Sequence, residues 1–341
     1  MFLVVSAKRM LKPIIFLFVC FPVLVVIVIG FLLIYFLKMP GKSYRGNLPE
    51  PSNEVRQLSR ELEGHVVKLS GEIGERNWLK PANLNKAAEY IEQQFEASGF
   101  KPKTQEYQLD KRSYRNIIAE QPGISKPDEI IVLGAHYDSV VGCPAANDNG
   151  TGVASLLALA RMIKAERLSR TVRFVAFPNE ESPFFGSDAM GSFQYARNCR
   201  RNNERIKAML SLETMGYYSD DRHSQSYPSI LRWIYPDTGN FIAFVGTLSN
   251  RDLVHRCVDL FRKHAEFPCE GGSAPSFLPG VDWSDHYSFS AFGYPAVMVT
   301  DTAPYRYPYY HTAQDTAEHV DFARLALVTQ GLFEVVRDLG R

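Results

Sequence analysis

Short apolar runs alternate with longer stretches of helical spacing along most of this chain, and that alternation predicts strands flanked by helices. Residues 130–133 form an apolar run closed by Gly134, the pattern of a strand buried on both faces of a sheet. Residues 153–163 have the apolar density of a helix packed on a sheet. Residues 171–177, rich in β-branched and aromatic side chains, predict a second buried strand. Strand, loop, helix, strand is a βαβ unit, and ligands of open α/β sheets gather at the carboxyl ends of the strands. Upstream, Val55, Leu58, Leu62, Val66 and Leu69 share one helical face. His65, on or near that face, reads as a structural histidine. A second helix opens at Pro81 or Asn83, carries Leu84, Ala87, Ala88, Ile91 and Phe95, and stops at Gly99. Residues 104–109 and 114–119 alternate as a pair of strands. Downstream, strands are expected at 206–212, 240–245 and 296–299, and helices at 253–261 and 322–339. Residues 217–239 and the Gly/Pro/Ser-rich 270–283 read as loops.

The N-terminus breaks this pattern. Residues 1–12 are a short tail, and residues 13–37 contain no charged side chain and are long enough to cross a hydrocarbon core of ~30 Å as a transmembrane helix. Phe36, Leu37, Lys38 and Met39 provide no small-residue cleavage site, so the segment is expected to stay as a single-pass membrane anchor. Lys8, Arg9 and Lys12 on one side are matched by Lys38, Lys42 and Arg45 on the other. With only a short tail before the span, the large domain is expected outside the cytoplasm. Residues 38–51, with Pro40, Gly41, Gly46, Pro49 and Pro51, read as a linker, and 52–341 as one catalytic domain.

Composition narrows the function. A chain of 341 residues, 45% hydrophobic and 22% charged, can bury one large core or two modest ones. A net charge of +1 offers no basic surface for nucleic acid and no acidic tail. Cys143, Cys199, Cys257 and Cys269 are an even set, which outside the cytoplasm permits two disulfides in any of three pairings.

The chemistry lies at the predicted strand ends. His136, Asp148, Glu181, Glu213 and His311 offer two imidazoles and three carboxylates, the donor types of zinc. That is an inventory for two ions about 3.5 to 4 Å apart that share one carboxylate. Asp148, in a tight Asn-Asp-Asn-Gly turn, is the natural bridge, and Glu180, next to a ligand but free of the metal, is placed to act as general base. Asp138, two residues after His136, would orient the imidazole, and Asp315 could support the His311 loop likewise. In isolation an Asp-Asn-Gly is a turn and a Glu-Glu pair is solvated surface. Together they end apolar strands, where several uncompensated carboxylates would cost several kcal/mol apiece, and a cation relieves that cost.

Five ordered motifs, GAHYDS (134–139), NDNG (147–150), NEE (179–181), GS (186–187) and HTAQDT (311–316), resemble the zinc exopeptidases related to bacterial leucyl aminopeptidases, glutamate carboxypeptidase and glutaminyl cyclase, the M28-like peptidases. The similarity runs from about Gly74 to the C-terminus. It implies an α/β fold, a three-layer αβα sandwich around a mixed, mostly parallel sheet. It also implies His136 and Glu213 on one zinc, Glu181 and His311 on the other, Asp148 bridging and Glu180 as base. The family commonly has aspartate where Glu213 stands, so a single-zinc site stays open beside the two-zinc one. The stretch SDHYSF (284–289) resembles an Asp-His-x-x-Phe element near the glutaminyl cyclase active site, which marks Asp285 and His286 as pocket or supporting residues. Tyr310, in the aromatic loop before His311, is a candidate to hold an oxyanion. The implied activity is a zinc-dependent aminopeptidase acting on peptide substrates. The alternatives are glutaminyl-peptide cyclisation on the same scaffold and a non-catalytic, membrane-held interaction domain. No motif fixes an oligomeric state.

Overall fold

The computed structural model describes residues 20–341. It divides into two units, Met1–Lys38 and Met39–Arg341. The described part of the first is helix α1 (Phe21–Leu37), whose apolar side chains are largely exposed. Among the described residues no helix is long and apolar enough to cross a membrane. The expected tail 1–12 and the first part of the expected span 13–37 lie outside the described residues.

The second unit is built on eight strands: β1 (Lys103–Leu109), β2 (Arg112–Gln121), β3 (Lys126–His136), β4 (Arg170–Phe177), β5 (Arg205–Glu213), β6 (Ile242–Thr247), β7 (Cys269–Ala274) and β8 (Ala296–Thr300). They form one sheet in the order β1-β2-β4-β3-β5-β8-β6-β7. β4, β3, β5 and β8 run parallel at its centre, and β6 pairs parallel with β7 but antiparallel with β8. β1 and β2 form a hairpin whose two turn residues, Asp110 and Lys111, both have positive φ, matching the twist of the flanking strands.

Helices α2 (Asn53–Val66), α3 (Pro81–Ala97), α4 (Gly152–Lys164), α5 (Gly191–Arg201), α6 (Arg251–His264), α7 (His286–Ala291) and α8 (Phe322–Gly340) cover the sheet. The alternation of strand side chains decides which face each helix joins. Ile131, Leu133 and Ala135 of β3 enter one core with residues of α2, α3, α4, α6 and α8. Ile130 and Val132 enter a second core with Tyr195 and Cys199 of α5 and Phe289 of α7. Val172, Phe174 and Ala176 of β4 face the first core, while Val175 and Phe177 face the second. Burial on both faces is why the central strands read as continuous apolar runs, and the result is the expected three-layer sandwich. Ser52 caps α2 by accepting the Val55 N–H, and Pro81 opens α3 at a position where its missing N–H costs nothing. His65 is structural, its Nδ1 2.7 Å from the Tyr90 hydroxyl.

Three expectations change. Residues 270–283, read as a loop, begin with the edge strand β7. Gly271 is there for packing: a Cβ on it would come within 2.6 Å of Val258 Cγ2 and 3.2 Å of Met39 Sδ. Residues 39–51, read as a linker, lie against that strand. Met39 is buried, Arg262 Nη1 donates to the Pro40 carbonyl at 2.8 Å, and the Cys269 N–H donates to Ser43 Oγ at 2.9 Å. The possible disulfides are absent: Cys143, Cys199, Cys257 and Cys269 are four buried free thiols, with Cys199 in a different core from Cys257 and Cys269.

Candidate metal centre

The carboxyl ends of the four central parallel strands supply the cluster. His136 is the last residue of β3, Glu213 the last of β5, Glu180 and Glu181 follow β4, and His311 sits in the loop after β8. Asp148 comes from the turn ahead of α4, where the Asp148–Asn149 peptide bond is cis. That turn is packed without slack. A Cβ on Gly152 would lie 2.2 Å from Asn149 Oδ1 and 2.3 Å from the Leu212 carbonyl, so the helix starts against β5 only because this residue is glycine.

The two oxygens of Asp148 face opposite ways. Oδ1 is 3.3 Å from Nε2 of His136, and Oδ2 is 3.0 Å from Nε2 of His311. Beside His136 lie Glu213 Oε2 at 3.3 Å and Glu180 Oε2 at 3.9 Å. Beside His311 lies Glu181 Oε2 at 3.4 Å. Donor atoms of His136, Asp148 and Glu213, of Asp148, Glu181 and His311, and of His136, Glu180 and Glu181 each fall within 4.8 Å of one another. All the carboxylates and His136 are buried. Both ring nitrogens of His136, Oδ1 of Asp148 and Oε1 of Glu181 have no hydrogen-bond partner. Buried polar atoms are otherwise nearly always satisfied, and imidazole and carboxylate donors in sets of three suit a divalent cation. The residues present fit zinc.

Charge in the cluster is shared unevenly. Burial pushes the Glu180 carboxyl well up; His136 opposes this, and Glu213 and Glu181 add to it. Burial, then Asp148, pushes Glu181 up to about 7 against the pull of His311. Burial works against the imidazolium of His136, yet Glu213 and Glu180 hold its pKa well above the usual value. His311, likewise opposed by burial, is pushed up to about 10 by Asp148 and Glu181. Asp148 stays below the usual carboxylate range against its own burial because both histidines lie beside it.

The supporting residues fall partly as expected. Asp138 Oδ1 is 3.5 Å from Nδ1 of His136, and its two oxygens also accept the backbone N–H groups of Glu180 and Glu181, each at 3.1 Å. Asp315 joins the His311 loop to the bridging turn without touching the His311 ring: the Tyr307 hydroxyl donates to it at 2.8 Å, and its oxygens accept the N–H groups of Asn147 at 2.8 Å and Asp148 at 3.0 Å. Tyr310 stacks on His311 with ring centroids 3.8 Å apart. Asp285 is buried, and burial, opposed by His136 and helped by Glu213, pushes its carboxyl up to about 7. His286 opens α7 with Nε2 2.8 Å from the Val281 carbonyl, and burial lowers its pKa to about 4. It anchors its own loop.

Three contributors stand inside the sequence motifs without a role that the motifs assign them. Ser284 donates to Glu213 Oε2 at 2.8 Å, holding the longer glutamate arm. Asn149 Oδ1 accepts the N–H groups of Gly152 and Thr214, tying the turn to the end of β5. Asn147 donates to Asp301 Oδ2 at 3.0 Å and accepts the Gly216 N–H at 2.8 Å, joining three loops. Their only mark in the sequence is position, one to three residues from a ligand or directly before the Asp-His pair.

Residues 116–336 match the model of Peptidase family M28. The chain is 35% identical over 295 residues to the uncharacterized protein YfbL of Escherichia coli, covering 84% of this chain and 90% of that one. It is 28% identical over 224 residues to leucine aminopeptidase 1 of Emericella nidulans, covering 61% of this chain and 50% of that relative. Among solved structures, BSAP, a zinc aminopeptidase from Bacillus subtilis, is alike in fold: TM-score 0.65 at 16% identity, with 82% of this chain and 95% of that one covered. The chain belongs to peptidase family M28 and is a metallopeptidase.

Proposed function

We propose that the chain is a zinc-dependent aminopeptidase that removes N-terminal residues from peptides. The observation that carries this reading is the Asp148 carboxylate, one oxygen toward His136 and the other toward His311. His136, Glu213 and Asp148 would hold one ion, and Glu181, His311 and Asp148 a second. When bound, zinc polarises a peptide carbonyl and lowers the pKa of water from 15.7 toward ~7.

The chain's own side chains do the rest. Glu180 is the general base: it takes a proton from the attacking water on its carboxylate and returns it to the departing amine. Burial raises its pKa, which suits a group that must both accept the proton and return it, an effect of roughly 10² to 10⁴-fold. Asp138 fixes the backbone of Glu180 and Glu181, so base and ligand move together or not at all. Tyr310 keeps its proton, since burial and then the Asp148 carboxylate raise its pKa far above the usual value, and its hydroxyl is a donor for a developing oxyanion. An acidic cluster with no lysine or arginine ion-paired to it among the described residues favours a substrate's terminal ammonium over a terminal carboxylate. The leucine aminopeptidase among the relatives supports the same choice. The uncharged run 13–37 supports a membrane-held chain with this unit outside the cytoplasm.

The test is digestion of a peptide library by the purified protein together with metal analysis. The expected result is stepwise loss of N-terminal residues, two zinc ions per chain, and loss of activity on chelation. C-terminal trimming, or pyroglutamate formation from N-terminal Gln peptides without release of amino acids, would replace the reading.

A further inference from the structure

Arg76 is the largest side chain in the second unit that is fully buried, with no exposed surface. Every hydrogen bond of its guanidinium goes to a backbone carbonyl. Nε donates to Tyr137 at 2.7 Å, Nη1 to Pro144 at 2.7 Å, and Nη2 to Ala145 at 2.9 Å, with Nη1 also 3.4 Å from Leu69 and Gly74. Its backbone pairs both ways with Ser139: the Arg76 N–H donates to Ser139 Oγ, and the Ser139 N–H donates to the Arg76 carbonyl, each at 3.0 Å.

These contacts fall at the two ends of one loop. Residues 137–145 connect His136 to the turn that carries Asp148. Ala145 closes that loop at φ +61°, a left-handed conformation that an alanine adopts only when its surroundings hold it. The Ala145 carbonyl takes two donors, Nη2 of Arg76 and the Gly150 N–H at 3.2 Å. A planar fork of five donors can hold several carbonyls at fixed separation, which a lysine cannot. The guanidinium is also a permanent positive charge whose field reaches Asp315, Asp138 and Asp148, and no carboxylate pairs with it directly among the described residues.

We propose that Arg76 is the positioning residue of the metal centre, clamping both ends of loop 137–145 so that His136 and Asp148 stand at ligand distance and offsetting part of their cluster's negative charge. The proposal rests on the zinc reading above. Residues that orient ligands from behind typically change metal affinity by ~10 to 100-fold when replaced. The charge and the fork are separable by substitution.

The experiment measures zinc affinity by competition with a chromophoric chelator, alongside the melting temperature of the zinc-free protein, for wild type, Arg76→Lys and Arg76→Gln. The expected result is an affinity about 10-fold weaker for Arg76→Lys, which keeps the charge, and about 100-fold weaker for Arg76→Gln, which loses it. A merely structural arginine would lower the melting temperature and leave the affinity of the folded protein unchanged; that outcome overturns the proposal. If neither variant folds, Ser139→Ala decides, since it cuts the clamp at one backbone contact and spares the guanidinium. It should weaken zinc by severalfold, and native affinity there overturns the proposal. A wild-type chain that binds no zinc overturns the functional reading and this one together, whereas native affinity in the variants overturns this one alone.

Discussion

Asp315 lies directly behind Asp148, its Oδ2 accepting the Asp148 N–H at 3.0 Å while Oδ1 accepts the N–H of Asn147. The pair spans 167 residues of sequence and fixes the one carboxylate that faces both histidines. Replacing Asp315 by alanine leaves two buried N–H groups and the Tyr307 hydroxyl unpaired, each worth about 1 to 3 kcal/mol when orphaned. The expected outcome is a fall in melting temperature together with zinc binding weakened by ~10 to 100-fold. Titration calorimetry checks it; unchanged zinc binding in a folded Asp315→Ala chain would show that Asp148 holds its place unaided.

Glu180 stands 3.9 Å from Nε2 of His136, yet its backbone is held by Asp138. Glu180→Gln keeps size and backbone contact and removes only the proton acceptor. Zinc content should be preserved, while kcat falls by at least ~10² to 10⁴-fold with little change in KM. Steady-state kinetics beside metal analysis separate the two effects. Wild-type turnover in the variant would take the base assignment away from Glu180.

Without metal, the cluster should make the protein's stability fall as pH rises. Glu181 and Asp285 titrate near about 7 in the folded chain, Asp315 near about 6, and Glu180 and Glu213 are also raised, all by burial first. An acid with a raised folded pKa binds more protons folded than unfolded, so stability is lost between its unfolded value, 4.5 for the glutamates and 3.8 for the aspartates, and the folded one. His311 adds to the trend: its contribution is full below 6.5 and disappears as pH rises through about 10. Asp148, held low by the histidines against burial, has the opposite sign, but its loss comes on acidification below that range. Each proton involved contributes about 1.4 kcal/mol per pH unit. Chelated protein should therefore melt several degrees lower at pH 8 than at pH 5, and zinc should remove most of the difference. A chelated chain equally stable at both values would contradict this.

His136, Glu181 and Glu213 were legible because each closes, or follows closely, a strand whose side chains are apolar on both faces, whereas Asp148 and His311 were marked by the NDNG and HTAQDT motifs. Phe177 before the Glu-Glu pair and Leu212 before Glu213 are fully buried, so a charged group next to either had to be part of a buried site. The hold of Asp315 on the Asp148 turn was not legible, because sequence distance favours the His311 loop, four residues away, over a turn 167 residues distant. Arg76 left no trace, since one arginine near a helix end looks like any surface cation. Helices α5 and α7 are short and were not anticipated; Gly191 and the Asp285-His286 pair hide their starts among turn residues. β7 was hidden by Gly271 and Gly272, which resemble a loop in composition, although Gly271 lets Val258 and Met39 approach the strand.

The same packing makes a prediction about where the folded unit begins. Met39 is buried in the core, Arg262 donates to Pro40, and Ser43 takes an N–H from the edge strand β7. A chain starting at residue 52 would lose all three and leave that strand's outer edge open to pairing with another molecule. Burying one methionine is worth about 1.5 to 3 kcal/mol, and the hydrogen bonds add roughly 1 kcal/mol each. A chain of Met39–Arg341 should fold as a monodisperse protein with the full-length enzyme's zinc affinity and turnover, because the cluster lies at strand ends remote in sequence from this segment. A chain of 52–341 should unfold at a denaturant concentration lower by an amount equivalent to about 3.5 to 5 kcal/mol, and aggregate sooner. Equal midpoints for the two chains would mean that residues 39–51 cover β7 without stabilising it.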